Sequence, residues 1–412
     1  MKKNLKMGLI DTIYYFLSKL FPGISGLLCI AIYTRMVGIE NYGIYSLFIY
    51  QFNLIASFSF GWINQSVLRY NTDLKKKINF NILLLPAPII TALILILNFN
   101  ENLAFTNFLL FFFCVFNIGI FSSIKTIFQA QLLSSKVLIL TIIQSMLIVL
   151  IPAIIYQLYE LNIVLLIACT AVSFFISILF SLIIKFNKKN KFQIKFGFLK
   201  FPLLKKWFKY GFPVSVWASI GLLFPYLDRF FISIHFNNDI LGKYSALNEI
   251  TIRAFSFFLF PFIMALHPRI TGLWNRGSKK RAVEIIFFGV KCILILLPLS
   301  FFLLHFLNKE IFYLIKFVLP MISSDYLPIF TPMVLTGILW QLSFLTQKMI
   351  ELNEKTYYMI YFILFSLVIN LVGNIFFLPK YGVIATAYTS FLSSFSYCAM
   401  TTIYLIITKK QI

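Results

Sequence analysis

Charge is scarce in this chain of 412 residues, and acidic charge is the scarcest. Only 12% of the residues are charged, with 13 aspartates and glutamates against 36 lysines and arginines, while 60% are hydrophobic. A soluble domain cannot bury so much apolar surface, so the composition excludes a soluble protein and indicates an all-α polytopic membrane protein. No polar stretch is long enough to form a soluble catalytic domain, which argues against an enzyme.

Metal-binding and redox motifs are also missing. The five cysteines fall inside apolar segments without motif spacing, which predicts packing roles and no disulfides. The three histidines are scattered at predicted helix ends. We therefore expect no metal site and no cofactor. The cysteines are Cys29, Cys114, Cys169, Cys292 and Cys398, and the histidines are His235, His267 and His305.

Apolar runs of about 20 residues, the length that crosses a bilayer as a helix, recur along the whole chain. They predict about twelve transmembrane helices and three parts: an N-terminal six-helix bundle (1–184), a basic cytoplasmic connector (185–209) and a C-terminal six-helix bundle (210–412). The predicted spans are 10–34, 42–64, 78–97, 105–124, 138–158, 163–184, 212–236, 245–266, 283–306, 328–346, 357–378 and 383–407. The segment 307–326 is predicted to be interfacial.

The basic residues follow the positive-inside pattern. With the N-terminus in the cytoplasm, 27 lysines and arginines fall in inside segments and five in outside segments. This alternation predicts that both termini lie in the cytoplasm. The net charge of +23 is then explained by membrane topology and by attraction to anionic lipids, and not by binding of nucleic acid. Trp62 and Trp207 lie at predicted helix ends, where they are expected to be interfacial anchors.

A short repeat relates the two halves. "ENYGIYSL" at 40–47 follows the first predicted helix, and "DILGKYSA" at 239–246 follows the seventh. Both contain Gly-x-Tyr-Ser. Because six helices separate the copies, the halves have the same orientation, which predicts a parallel repeat about an axis along the membrane normal. Transporters built from such repeats bind substrate at the repeat interface.

Four cations lie inside predicted spans: Lys19, Arg229, Arg253 and Lys291. Each costs about 2.5–3.5 kcal/mol at a helix centre on insertion scales, so such residues normally face a partner or a polar cavity. Counting along the helices places the two arginines in the outer half of the membrane and the two lysines in the inner half. We expect all four to be substrate-binding cations of a cavity. For the arginines, structural ion pairing between the seventh and eighth predicted helices is the alternative, and for the lysines it is snorkelling to the interface.

Two acids accompany the outer cations. Glu249 and Arg253 have the i, i+4 spacing that favours an ion pair, whereas Asp228 and Arg229 are adjacent and must each find a partner elsewhere. Asp228 and Glu249 are therefore candidates for gating or structural ion pairs. Helix breakers lie nearby in the first and seventh predicted helices, which makes these helices candidate hinges. The hinge candidates are Pro22, Gly23, Gly26, Pro213 and Pro225.

Several of these segments resemble one family. "IYTRMVGIENYGIYSL" is similar to the segment after the first helix of Wzx-type polysaccharide flippases, and "YLDRFFISIHFNNDILGKYSALNEI" to their seventh-helix segment. "LHPRITGLW" and "NLVGNIFFLPKYGVIATAYTS" resemble the exit of their eighth helix and the corner between their last two helices. The resemblance covers essentially the whole chain and is to the flippases of O-antigen and capsule repeat units in the multidrug/oligosaccharidyl-lipid/polysaccharide (MOP) exporter superfamily.

The resemblance implies a fold and a function. The fold is two six-helix bundles in a V shape around a central cationic cavity. The function is to move undecaprenyl-pyrophosphate-linked oligosaccharide from the inner to the outer leaflet of the bacterial cytoplasmic membrane by alternating access. Partners implied are this substrate, membrane lipid, and polymerase and chain-length proteins of the same pathway. Lys19 and Lys291 would capture the pyrophosphate, and Arg229 and Arg253 would act in later passage or gating.

Three alternatives stay open at this point, and one of them, a structural membrane protein without transport, is disfavoured by the buried charges. A multidrug or cation exporter of the same superfamily would share the fold, but it would be expected to concentrate carboxylates in its cavity. A repeat-unit polymerase normally needs a large external loop for glycosyl transfer. Polar residues that could select the sugar include Asn64, Gln65, Asn370 and Asn374.

Overall fold

Long helices dominate the computed structural model, which describes residues 2–70, 77–79, 83–97, 105–185, 193–195, 201–306 and 308–410. The helices are α1 (Lys2–Met36), α2 (Gly38–Tyr70), α3 (Ala87–Leu97), α4 (Phe105–Ala130), α5 (Ser134–Leu158), α6 (Ile163–Lys185), α7 (Phe201–His235), α8 (Asn238–Asn275), α9 (Lys279–Phe306), α10 (Asn308–Val318), α11 (Leu327–Thr346), α12 (Lys348–Leu352), α13 (Tyr357–Tyr381) and α14 (Val383–Lys409). Two short strands, β1 (Lys77–Asn79) and β2 (Gln193–Lys195), pair in parallel.

Every predicted span overlaps one of these helices. Among the described residues, nine helices are long and apolar enough to cross a bilayer, and α3 is a shorter apolar helix. The all-α polytopic fold is confirmed, and the number of twelve spans stays a prediction. Residues 80–82 of the third predicted span, and 186–192 and 196–200 of the basic connector, lie outside the described residues. The predicted interfacial segment contains the short helix α10.

The chain forms two compact units. The first unit comprises Met1–Cys29 and Leu47–Leu223, and the second comprises Ile30–Ser46 and Phe224–Ile412. Helices α1, α2 and α7 each contribute residues to both units, and α7 passes from one to the other beside Pro225. The sequence-based boundaries at 184 and 210, and the hinge roles of the prolines and glycines, stay predictions.

The first unit buries two aromatic clusters. Trp62 and Trp207 pack together with Ile63, Val67 and Ile127, and only 7% and 0% of the two tryptophans is exposed. The prediction that they are interfacial anchors is therefore wrong, because their rings fill the interior of the unit. In the second cluster, Phe121 and Phe128 of α4 are buried with Val137 and Leu140 of α5, and Tyr15 packs against this cluster, which brings α1 alongside α4.

The second unit has its core between α8, α9, α11 and α14, where Ile263, Ile286, Ile338 and Leu405 are buried. The two copies of the Gly-x-Tyr-Ser repeat meet in this unit. A Cβ on Gly43 would lie 2.6 Å from the backbone nitrogen of Gly242, so the equivalent glycines of the two repeats are in direct backbone contact. Both glycines are needed because no side chain fits at this crossing.

Replacing Gly242 with alanine is therefore expected to destabilise the protein. The new Cβ would overlap the carbonyl oxygen of Ile39, and backbone cannot move aside as a flexible side chain can. We expect a loss of about 1–3 kcal/mol, the usual cost of overpacking, measured as thermal unfolding of the purified protein in detergent. Gly272→Ala in the same helix is the control, since nothing lies within 4 Å of its Cβ position. Equal melting temperatures for the two variants would contradict the close crossing.

Candidate functional site

A buried carboxylate marks the centre of the second unit. Asp228 lies on the last part of α7 and is only 3% exposed. Its Oδ1 accepts hydrogen bonds from the Nδ2 atoms of Asn370 (3.0 Å) and Asn374 (3.2 Å) on α13. Its Oδ2 accepts from the hydroxyls of Ser390 on α14 (2.5 Å) and Tyr244 on α8 (3.1 Å). Three other helices therefore converge on this one side chain.

All four donors to Asp228 are neutral. Among the described residues no lysine, arginine or histidine forms an ion pair with this carboxylate, since the described ion pairs within the second unit involve Glu249, Asp239 and Glu351. A buried charge is costly unless it is paired and hydrogen-bonded, so hydrogen bonds alone stabilise this carboxylate. The Oδ1 of Asn374 is buried beside it and has no hydrogen-bond partner among the described side chains. The cluster thus offers a carboxyl group that has no ion-pair partner among the described residues, together with a spare carbonyl oxygen.

The adjacent Arg229 points into a different cluster. It is completely buried, and it donates from Nε to the hydroxyl of Ser46 (2.9 Å) and from Nη1 to the carbonyl of Pro225 (2.8 Å). Its Nη2 lies 3.5 Å from Oε1 of Glu249 on α8. The predicted ion pairing between the seventh and eighth helices is present, and Ser46 at the start of α2 joins both partners.

Glu249 connects the two arginines. Its Oε1 also accepts a hydrogen bond from Ser46 (2.8 Å), and its Oε2 lies 3.3 Å from Nη2 of Arg253. The i, i+4 pair predicted from the sequence is therefore formed. The Arg253 side chain is 36% exposed, in contrast to the buried Arg229. The gating and substrate-passage roles assigned to these arginines stay predictions.

Asp228 and Arg229 have no charged counterparts in the first half of the chain. When Gly43 is aligned with Gly242, Asp228 and Arg229 correspond to Cys29 and Ile30. Charged residues thus stand where the first repeat has an apolar or weakly polar residue. Packing alone does not require charge at these positions, which favours a functional reason for it.

A separate cationic pair lies in the first unit. Lys19 of α1 follows Tyr15 by one helical turn, and Lys125 of α4 follows Phe121 by one turn, so both extend from the packed contact between α1 and α4. Both lysines therefore belong to the part of the first unit where α1 packs against α4. Lys19 is exposed and Lys125 is half-buried. This is the kind of site that an anion would stabilise.

The sequence predicts that Lys125 lies in a cytoplasmic loop, because the predicted span ends at residue 124. Helix α4 instead continues to Ala130 and carries this lysine within it. Lys291 lies elsewhere, on an exposed part of α9 together with Phe288. The structure therefore places the two predicted inner lysines in different units, and their capture of a headgroup stays a prediction.

The residues predicted to select the sugar also lie in different units. Asn370 and Asn374 are fully buried against Asp228, whereas Asn64 of α2 bonds to Ser122 (3.3 Å) and Ser123 (2.8 Å) of α4 in the first unit. Sequence reasoning missed Ser46, Tyr244 and Ser390 as members of the charged clusters. The first two lie in the Gly-x-Tyr-Ser repeats, which was the available signal.

Comparison with solved structures identifies transporters of similar fold. An inward-facing conformation of a multidrug resistance MATE family transporter of the MOP superfamily has a TM-score of 0.68 at 14% identity, covering 97% of this chain and 95% of that one. An outward-facing conformation of such a transporter gives 0.61 at 15% identity, with 97% and 95% covered. A MATE in the bent conformation gives 0.64 at 14% identity, with 98% and 95% covered.

Sequence comparisons give one family. No significant match is found among curated proteins. A profile of the family described as polysaccharide biosynthesis protein matches residues 9–274, which is more than half of the chain. The structural likeness, at these identities, concerns the fold. The chain therefore belongs to the polysaccharide biosynthesis protein family and has the fold of MATE transporters of the MOP superfamily.

Proposed function

We propose that this protein is a flippase that moves an undecaprenyl-pyrophosphate-linked oligosaccharide repeat unit, of O-antigen or capsule type, to the outer leaflet of the bacterial cytoplasmic membrane. The observation that carries the proposal is the combination of a polysaccharide biosynthesis family match with a transporter fold. A protein of that family with that fold would act by moving an intermediate of the polysaccharide. Both termini would lie in the cytoplasm, as the lysine distribution predicts.

The pair formed by Lys19 and Lys125 supports an anionic substrate. Two ammonium groups beside one helix contact favour a bound dianion, which attracts both of them. Lysine binds phosphate as a point charge, so it tolerates the changing orientation of a headgroup in motion. We assign first capture of the pyrophosphate to this pair. Cationic drugs would be repelled by the same two residues.

The Asp228 cluster supports coupling to a cation gradient. A carboxylate held only by neutral donors can exchange its charge by binding a proton or a monovalent cation. The hydroxyls of Ser390 and Tyr244 can accept as well as donate, and the free Oδ1 of Asn374 is an additional oxygen ligand. We therefore assign ion coupling to Asp228, and structural support to the Arg229–Glu249 pair.

The alternative of a multidrug exporter has one specific observation in its favour, because the matched structures are multidrug resistance transporters. The flippase and the multidrug exporter are both predicted to couple transport to ions. They differ in the charge of the substrate, and a transport assay separates them.

The decisive experiment is transbilayer movement of undecaprenyl-pyrophosphate oligosaccharide in vesicles that contain the purified protein. Removing both charges in Lys19→Gln/Lys125→Gln is expected to slow movement at least about tenfold, since hydrogen bonds to charged groups are worth about 1.5–3 kcal/mol. Lys136→Gln is the matched control in the same unit, because this lysine lies over the ring of Phe128 (5.8 Å) and is expected to have no part in transport. Folding of each variant is checked by thermal unfolding.

Three outcomes are informative. Wild-type rates in the folded double variant would refute the assignment of the lysines and leave the flippase proposal standing. Equal losses in the double variant and in Lys136→Gln would refute the assignment too. A wild-type protein that moves cationic dyes but no lipid-linked glycan would refute the flippase proposal in favour of a drug exporter.

A further inference from the structure

One face of α9 lines a cavity that is distinct from both clusters described above. The cavity has a volume of about 430 Å³ and lies within the second unit. Lys280, Glu284, Phe287 and Lys291 line it at helical spacing along α9, and Lys409, the last residue of α14, closes one side. Its volume is in the range of pockets that bind small molecules or lipid headgroups.

Exposed apolar side chains adjoin the cavity. Phe288 in its wall is 58% exposed, and Ile295 and Phe302 further along α9 are 66% and 56% exposed. In a helix of a membrane protein, a row of exposed large apolar side chains faces acyl chains. Lys291 lies among these exposed residues, in a setting where the stem of a lysine covers apolar surface while its ammonium group reaches a polar region.

The charges of the cavity are unbalanced. Three lysines line it against the single Glu284, and the Nζ of Lys409 lies 4.3 Å from the centre of the Phe287 ring. Lys280 lies at the start of α9, about 16 Å along the helix from Lys291. The basic end of the groove belongs to the membrane side that the lysine distribution predicts to be cytoplasmic.

We propose that this groove, formed by α9 and the end of α14, is a binding site for an anionic phospholipid of the inner leaflet. Lys280 and Lys409 hold the phosphate, Lys291 lies beside the glycerol ester region, and an acyl chain runs over Phe288. Basic pockets of this kind at the cytoplasmic side of transmembrane helices bind anionic headgroups. The inference does not depend on the transported substrate. It gives Lys291 a resident lipid as its ligand in place of the transported headgroup.

The test measures lipid retention by native mass spectrometry of the purified full-length protein. The protein is exchanged into mixed micelles that contain equal amounts of phosphatidylglycerol and phosphatidylcholine with identical acyl chains. A lysine near a membrane surface contributes about 1 kcal/mol, or about fivefold in affinity. Lys280→Gln/Lys409→Gln is therefore expected to lower the retained ratio of phosphatidylglycerol to phosphatidylcholine by about tenfold or more, and Glu284→Gln to raise it.

The matched control is Lys279→Gln/Lys410→Gln, which removes the same charge one residue away from the groove. This control is expected to keep the wild-type lipid ratio within about twofold. Equal losses in both double variants would overturn the proposal, because the attraction would then be a diffuse effect of net charge. Displacement of phosphatidylglycerol by inorganic phosphate or by undecaprenyl phosphate at equal concentration would also overturn it. If the groove variant misfolds, an unchanged ratio in the folded Glu284→Gln protein is sufficient to refute it.

Discussion

Replacing Arg229 with methionine is expected to destabilise the protein by about 3–5 kcal/mol, the usual cost of breaking a buried ion pair from one side. Arg229 is fully buried, and it contacts Ser46, Pro225 and Glu249 from three different chain segments. The variant would leave Glu249 buried with only Ser46 and the more exposed Arg253 to compensate it. The Pro225 carbonyl would also lose its side-chain donor.

Thermal unfolding in detergent measures this loss, and an exposed ion pair provides the control. Lys243 lies 2.6 Å from Asp239, with both side chains partly exposed, so Lys243→Met is expected to cost no more than about 1 kcal/mol. The double variant Arg229→Met/Glu249→Gln should lose less than the sum of the two single variants, since it removes the uncompensated charge. Additive losses, or a loss in Arg229→Met no larger than in Lys243→Met, would show that the buried pair does not hold the unit together.

The pairing of α7 with α8 could be predicted because its determinants are local in sequence. Adjacent Asp228 and Arg229 must point to different partners on one helix, and Glu249 and Arg253 are one turn apart. The partners of Asp228 could not be predicted in the same way. Asn370 and Ser390 are 142 and 162 residues away along the chain, and no periodicity connects them to α7. Only folding brings these helices together.

Hydropathy also predicts the ends of helices poorly. The errors concern mainly cationic residues, which were assigned to loops although they lie within helices. A lysine lowers the local hydropathy, so the fourth predicted span ends at residue 124, before Lys125, although α4 continues for six more residues to Ala130. The predicted position of the tryptophans was also wrong. A tryptophan at the end of an apolar run indicates an interface, but Trp207 is buried against Trp62 because the N-terminal part of α7 begins well before the predicted span. The apolar pattern thus predicts which segments are helical, but not which residues lie inside them.

Substituting Asp228 with asparagine is expected to abolish gradient-driven transport while leaving the fold intact. The amide has nearly the shape of the carboxylate, and the hydroxyls of Ser390 and Tyr244 can reverse to accept hydrogen bonds from its nitrogen. The variant cannot, however, change its charge by binding a proton or a cation. One cation that crosses down a tenfold concentration gradient supplies about 1.4 kcal/mol, which sustains a substrate ratio of about tenfold between the leaflets.

Vesicles with an imposed cation gradient and a membrane potential clamped at zero measure that ratio, because the potential alone would distribute a dianionic headgroup unequally between the leaflets. The wild type is expected to concentrate the lipid-linked substrate in one leaflet, whereas Asp228→Asn should approach a ratio of one at a similar melting temperature. Asp239→Asn, which removes a partly exposed acid at the start of α8, is the control and should concentrate substrate normally. If Asp228→Asn also concentrates it normally, the carboxylate only joins α7 to α8, α13 and α14. If the variant concentrates no substrate but still equilibrates it between leaflets, Asp228 couples the transport cycle to the gradient, and the cycle itself needs no charge at this position.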